Sequence, residues 1–324
     1  MRRAPTNLNV IRTILQFWVC CVLLFFTSES FSQDYERVDA TILLYPESVD
    51  TPEELSKFIT RDFTSEEEKV RAIYSWIIQN VAYDPNEYKQ FNYNFKDYRE
   101  RNTKEEKTRD KVIKRTLQQG VAVCEGYAML FEKLCELQGI SNYLVRGDIK
   151  TNFNDIGRPF KNSHMWNVAV IDGKSYLFDP TWGAGRYNGG FIKEPSYFYY
   201  KTPPDLFFKT HYPSMFEDAF IDVVISKRVF STMPLLIAEN LKMGDVESPL
   251  QGIISTDQYL SEVPFSLTNC NTQAVFYTFG DEKLPVENLE TVGNRTRFSV
   301  PLALGAETLL IYFDDQPALG FIIE

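Results

Sequence analysis

Cys124, His164 and Asp179 are the residues whose types and order could do chemistry in this chain. A thiolate that attacks a carbonyl needs an imidazole to move its proton, and the imidazole needs an acceptor to fix its tautomer. Cys124 lies where an apolar approach, Val121-Ala-Val-Cys-Glu-Gly126, gives way to helical spacing at Tyr127, Leu130, Phe131, Leu134 and Leu137. A helix N-terminus carries about half a positive charge and unpaired amides, so it stabilises a thiolate and offers donors to an oxyanion. Gly126 is read as leaving space for a substrate backbone. Glu125 would oppose a thiolate if the two were close, but adjacent helical side chains diverge.

Only two histidines occur, His164 and His211. His164 opens a strand-like run to Ile171, followed by Asp172-Gly173 and a second run, Ser175 to Asp179. A two-residue hairpin turn sets Ile171 opposite Lys174. That register brings His164 and Asp179 to the same side of the sheet as diagonal neighbours. The alternative makes His164 a satisfied strand histidine and Asp179 a turn-former before Pro180. His211, in Lys209-Thr-His-Tyr-Pro213, has no cysteine or carboxylate near it in sequence and is the weaker proton shuttle. Cys135, deep among leucines, and Cys270 read as buried small hydrophobes. Trp76 defaults to core packing, and Gln79 is a possible donor. The sequence contains no His-Glu-x-x-His, Cys-x-x-Cys, Walker loop or Gly-x-Ser-x-Gly, so no cofactor or metal is expected. Gly183 to Gly190 reads as a mobile loop.

The elements that must position these residues follow from periodicity. Residues 53 to 63 read as a short helix. Thr64 and Glu67 then form a capping box for a helix with Val70, Ile73, Tyr74, Ile77, Ile78 and Val81 on one face, ending near Tyr83. Residues 86 to 111 are dense in charge and read as an exposed, partly helical excursion, with a lid over a groove as the functional alternative. Gly139 stops the cysteine helix, and Asn142 to Gly147 is strand-like. Helices first and antiparallel strands after them make an α+β domain. Beyond about Val223, short β-rich runs at 263–268, 274–279, 297–300, 308–313 and 319–323 suggest a β-sandwich.

With 324 residues, 44% hydrophobic and 24% charged, the chain is globular and long enough for two domains. Its net charge of −10, with no basic stripe, argues against nucleic acid. Arg2, Arg3 and Arg12 precede an apolar run, Ile14 to Phe26, with small residues at Ser30 and Ser32. That is the layout of an export signal, with an uncleaved anchor as the alternative. Removing residues 1–32 leaves Cys124, Cys135 and Cys270, an odd, widely spaced set that makes no disulfide framework.

Three ordered blocks, Cys124-Glu-Gly-Tyr127, His164-Met-Trp-Asn-Val168 and Asp179-Pro-Thr-Trp-Gly-Ala-Gly185, resemble the transglutaminase-like superfamily, in particular its kyphoscoliosis-peptidase-type branch. The helix Ala72 to Asp84 is similar to that family's segment upstream of the cysteine, and the resemblance runs from about residue 50 to 215. It implies a papain-like α+β core with Cys124 as nucleophile, His164 as general acid/base and Asp179 as orienting acid. The tail is less distinctly similar to an immunoglobulin-like domain. The expected organisation is a signal peptide (1–32), a catalytic domain (33–225) and a β-sandwich (226–324). The expected activity is exported, periplasmic or extracellular, cysteine-dependent acyl transfer on peptide or protein amides, with membrane involvement only through the export signal. The competing expectation is a secreted binding or scaffold protein with the same fold and no turnover.

Overall fold

The structure, a computed structural model, describes residues 35–90, 98–241, 244–259, 261–280 and 282–324. The expected export signal lies outside these residues. Among them, no helix is long and apolar enough to cross a membrane.

Helices α1 (Tyr35–Ile42), α2 (Pro52–Asp62), α3 (Glu66–Asn80), α4 (Tyr98–Gln119) and α5 (Cys124–Leu137) precede a five-stranded sheet. The capping box of α3 is Ser65 with Glu68, one residue later than the spacing predicts, and Ser65 is the extended N-cap residue. The helix ends at Asn80 rather than Tyr83. Ala82–Tyr83 instead pairs in parallel with Val121–Ala122, just ahead of Cys124. The charged stretch expected as an excursion is helical from Tyr98, and its C-terminal part buries Val112, Ile113 and Leu117. Gly126 serves helix packing rather than substrate. A Cβ there would lie 2.6 Å from Ala122 Cβ and 2.7 Å from Thr116 Oγ1, so the glycine lets α5 close on α4. The expected stop at Gly139 is present: its φ is +73°, and Ile140 N bonds back to Cys135 O.

The sheet strands are β1 (Asn142–Ile149), β2 (His164–Ile171), β3 (Lys174–Phe178), β4 (Tyr200–Thr202) and β5 (His211–Pro213), in the order β4-β3-β2-β1-β5. Asp172 and Gly173 take φ of +50° and +77°, and Ile171 pairs with Lys174, as the two-residue turn requires. One core packs α1 to α5 against Ala169, Ile171 and Phe178 of the sheet. Gly183 to Gly190 is no mobile loop. It comprises α6 (Pro180–Ala184) and a small hairpin of Gly185–Tyr187 with Phe191–Lys193, and Gly183 lies against Tyr74 where no Cβ would fit.

From Leu235 onward two sheets face each other. One carries Leu235–Leu236, Gln316–Ile323, Thr308–Phe313, Val275–Thr278 and Leu284–Pro285, and the other Asp245–Ser248, Glu262–Thr268, Arg295–Pro301 and Glu290–Val292. They share one apolar core that includes Val263, Phe265, Phe298, Leu309, Ile311 and Phe321. This is the architecture the alternating strands predict. Lys150 Nζ reaches Met233 O at 2.7 Å and ties the first sheet to the segment leading into the sandwich.

Gly147 pairs with His164 on one side and Pro213 on the other, and a Cβ would overlap Tyr212 O and the Trp166 ring. We therefore expect Gly147→Ala to cost about 3 kcal/mol by overpacking. Urea denaturation checks this, and an unchanged midpoint would refute the close approach.

Candidate active site

Strand register explains why the site assembles. His164 opens β2, and β3 runs back beside it in the predicted register as far as Phe178. Asp179 then leaves the strand and becomes the N-cap of α6. Its Oδ1 accepts from the backbone N–H of Thr181 at 2.8 Å and of Trp182 at 3.1 Å. Its Oδ2 meets His164 Nε2 at 2.7 Å. The expected pairing of His164 and Asp179 is present, as a direct hydrogen bond.

The same Oδ2 also lies 3.0 Å from His211 Nε2. His211, which has no carboxylate near it in sequence and reads as the weaker proton shuttle, is in direct contact with this one, and the register shows how. Ile149 pairs with His211 and Gly147 pairs with His164, so residues two apart on β1 place both imidazoles on one face. Gly147 leaves no side chain between them. The signal needed to find this is the β1–β5 pairing, which joins segments some sixty residues apart and has no local signature.

Cys124 is the first residue of α5, and Val123 supplies no side-chain cap. Cys124 packs with Ala128 and Met165 and hydrogen-bonds to the His164 ring. With Nε2 of that ring committed to Asp179, Nδ1 is the nitrogen left for sulfur. Glu125 does not diverge as expected. Its Oε2 lies 3.3 Å from Cys124 Sγ, while Arg146 Nη1, 3.7 Å from the other oxygen, offsets part of its charge. Cys135 is buried as expected, and burial pushes its thiol well above the ordinary range. Cys270 is half-buried, its thiol pushed up to about 11 by burial. Trp76 is a core residue that donates Nε1 to Pro46 O, and Gln79 is half-buried on α3.

Burial disfavours charge on His164, but the charge and hydrogen bond of Asp179, with Cys124, outweigh it and raise the imidazole to about 10. Burial would likewise raise Asp179. The two imidazoles hold it well below the usual carboxylate range instead. His211 is pushed down to about 4, chiefly by burial, with the charge of His164 adding to the effect. The site therefore holds an imidazolium, a carboxylate and a neutral imidazole at pH 7. Such a set can pair an imidazolium with a thiolate and give its proton to a leaving amine. The ligand-type atoms of His164, Asp179 and His211 lie within 4.8 Å of one another. Both imidazoles place Nε2 at hydrogen-bond length from a single carboxylate oxygen.

Residues 53–180, which contain Cys124, His164 and Asp179 but not His211, match the model of the transglutaminase-like superfamily. The chain carries a transglutaminase-like domain. Its sequence is 29% identical to human (Homo sapiens) kyphoscoliosis peptidase over 189 residues, 56% of this chain and 26% of that protein. It is 31% identical to the mouse (Mus musculus) kyphoscoliosis peptidase over 165 residues, 49% of this chain and 23% of that protein. The chain thus spans about a quarter of the length of the curated relatives it matches. A solved structure described as a TGase overlaps 57% of this chain and 43% of its own, at 17% identity and a TM-score of 0.29. The transglutaminase-like domain holds Cys124, His164 and Asp179 in the mutual contact that the three sequence blocks imply.

The His164–Asp179 pair makes stability depend on pH. A histidine raised from 6.5 to about 10 on folding stabilises fully below about 6.5, and that contribution is lost as pH rises towards 10. His211, lowered to about 4, works in the opposite window and weakens the fold as pH falls from 6.5 towards 4. We expect unfolding free energy to fall above pH 7 by up to about 1.4 kcal/mol per pH unit. In His164→Asn that alkaline slope should flatten, as measured by urea unfolding from pH 6 to 10. An identical slope in the variant would contradict the pairing.

Proposed function

We propose that this protein is an exported cysteine-dependent acyl-transfer enzyme acting on peptide or protein amides. The observation that carries this reading is the buried chain of contacts from the Cys124 thiol through His164 to Asp179, with the thiol at the start of α5. With its proton already resting on the His164 imidazolium, the Cys124 sulfur attacks the amide carbonyl as a thiolate. The amides of Gly126 and Tyr127 bond back to Val123 O, so those of Cys124 and Glu125, at the very start of α5, are the ones suited to the developing oxyanion. The imidazolium, held by Asp179, protonates the leaving amine, which departs as the thioester forms. Water or a second amine then attacks the thioester and regenerates the thiol. Hydrolysis is favoured over cross-linking because water is the abundant acceptor outside the cytoplasm, and the peptidase names of the relatives agree with it. Export rests on the basic and apolar layout of residues 2–32.

A second reading has its own observation. Cys124 is 2% exposed, so little of the thiol meets solvent in this conformation. A secreted scaffold that keeps the triad without turnover would look the same.

Alkylation separates the two. In the acyl-transfer reading iodoacetamide modifies Cys124 at neutral pH and below, whereas an inert core thiol reacts only near about 8.5. Modification is located by mass spectrometry, with Cys135 as the internal control. We expect Cys124→Ala to abolish amide cleavage on casein, and Asp179→Asn to lower it by at least about 100-fold. A Cys124→Ala variant as active as wild type would sink the proposal. Hydroxylamine added as an amine acceptor distinguishes transfer, which yields a hydroxamate, from hydrolysis.

A further inference from the structure

A thiol–imidazole–acid relay needs one imidazole on its carboxylate, and this site has two. We propose that His211 is a positioning residue, donating its Nε2 proton to Asp179 Oδ2 so that the buried carboxylate stays ionised and aimed at His164. The proposal rests on the acyl-transfer reading given above.

The hydrogen-bond arrangement defines what His211 can be. Asp179 Oδ2 is only an acceptor when ionised, so a neutral His211 at 3.0 Å must carry its proton on Nε2. Nδ1 is then an acceptor, and the Thr210 hydroxyl, 2.7 Å from Nδ1 and 3.3 Å from Phe207 O, gives its one proton to the nearer Nδ1 in this tautomer. The ring is held on all sides. It stacks on Phe207 with centroids 4.1 Å apart, and Trp182 and Trp166 lie at 4.6 and 5.2 Å. Such packing would suit a histidine with no chemical duty, but it also excludes the water that would otherwise satisfy Asp179. The carboxylate is 0% exposed, and its four donors are two backbone amides on Oδ1 and two imidazoles on Oδ2. Removing one donor leaves a buried charge short of a hydrogen bond, which favours its protonated form. Protonated Asp179 no longer supports the imidazolium, so the thiolate forms only at higher pH.

The titratable groups around this centre do not supply the same effect. Tyr74 from α3, Tyr127 from α5 and Tyr199 are all raised well above their ordinary range, by burial first, and stay neutral. Cys124 lies beyond His164, with Glu125 3.3 Å from its sulfur and Arg146 3.7 Å from the other Glu125 oxygen, and both are unchanged in every variant below. Glu239, raised by burial and bonded to Ser196, is the other carboxyl whose charge reaches Tyr74 and Tyr199, and it is unchanged in every variant below.

Two substitutions at position 211 separate donation from packing. His211→Phe keeps an aromatic ring and removes the donor; His211→Gln keeps an N–H near the Nε2 position and removes the ring. The readout is the pH profile of Cys124 alkylation by iodoacetamide on the full chain, with thermal melting in parallel. We expect His211→Phe to move the acid limb upward by at least about half a pH unit and to slow alkylation at pH 6 by about tenfold. His211→Gln should leave the limb near its wild-type position and the rate within about threefold. Equal profiles for wild type and His211→Phe, or a limb that moves for Gln and not for Phe, overturn the proposal. If His211→Phe does not fold, Thr210→Val, which removes the hydroxyl that donates to Nδ1, reports the same limb. A smaller upward shift supports the proposal, and no shift overturns it. Should wild-type Cys124 itself show no reactivity below pH 8, the acyl-transfer reading fails first, independently of His211.

Discussion

A carboxylate with no exposed surface must be either neutral or fully hydrogen-bonded. Asp179 takes the second course, and much of the first domain is arranged to allow it. Two donors come from the turn that ends β3, because leaving the strand there makes Asp179 the N-cap of α6 and turns its side chain onto the amides of Thr181 and Trp182. The other two come from strands β2 and β5, which flank β1. The His164 imidazolium is a consequence of that anion. Burial alone would strip its proton, and the Asp179 charge retains it.

The rest of the first domain can be read as support for that arrangement. Helix α5 delivers Cys124 at its first residue, and α5 can approach α4 because Gly126 has no side chain to hold them apart. Strand β1 separates the two histidine strands, and Gly147 keeps the space across it open. Tyr74, from α3, occupies the room that Gly183 leaves and bonds weakly to Asp179 O at 3.4 Å. Small residues at these contacts matter more than large ones, because each sets the separation of two elements that carry polar groups.

Some of this was legible in the chain because it is local. The Asp172-Gly173 turn fixes the pairing of β2 and β3, so the partnership of His164 with Asp179 followed from counting residues. Helical spacing after Cys124 was equally local. Errors came where a neighbour in space, not in sequence, decided the outcome. Gly126 faces Thr116 and Ala122 rather than a substrate, and Glu125 turns back towards sulfur across from Arg146. The glycine-rich segment after Asp179 is ordered because Gly183 packs on a helix a hundred residues upstream.

Periodicity, turn chemistry and residue order sufficed for the α+β division, the nucleophile's place at a helix start and the His164–Asp179 pair, since each depends on interactions within one or two adjoining elements. Tertiary structure alone decided that a second imidazole shares the carboxylate, and that the thiol is nearly closed to solvent. The first depends on β5 adding to the far side of β1, a pairing whose partners lie too far apart along the chain for spacing to reveal, and the second on Met165 of β2 packing against Cys124.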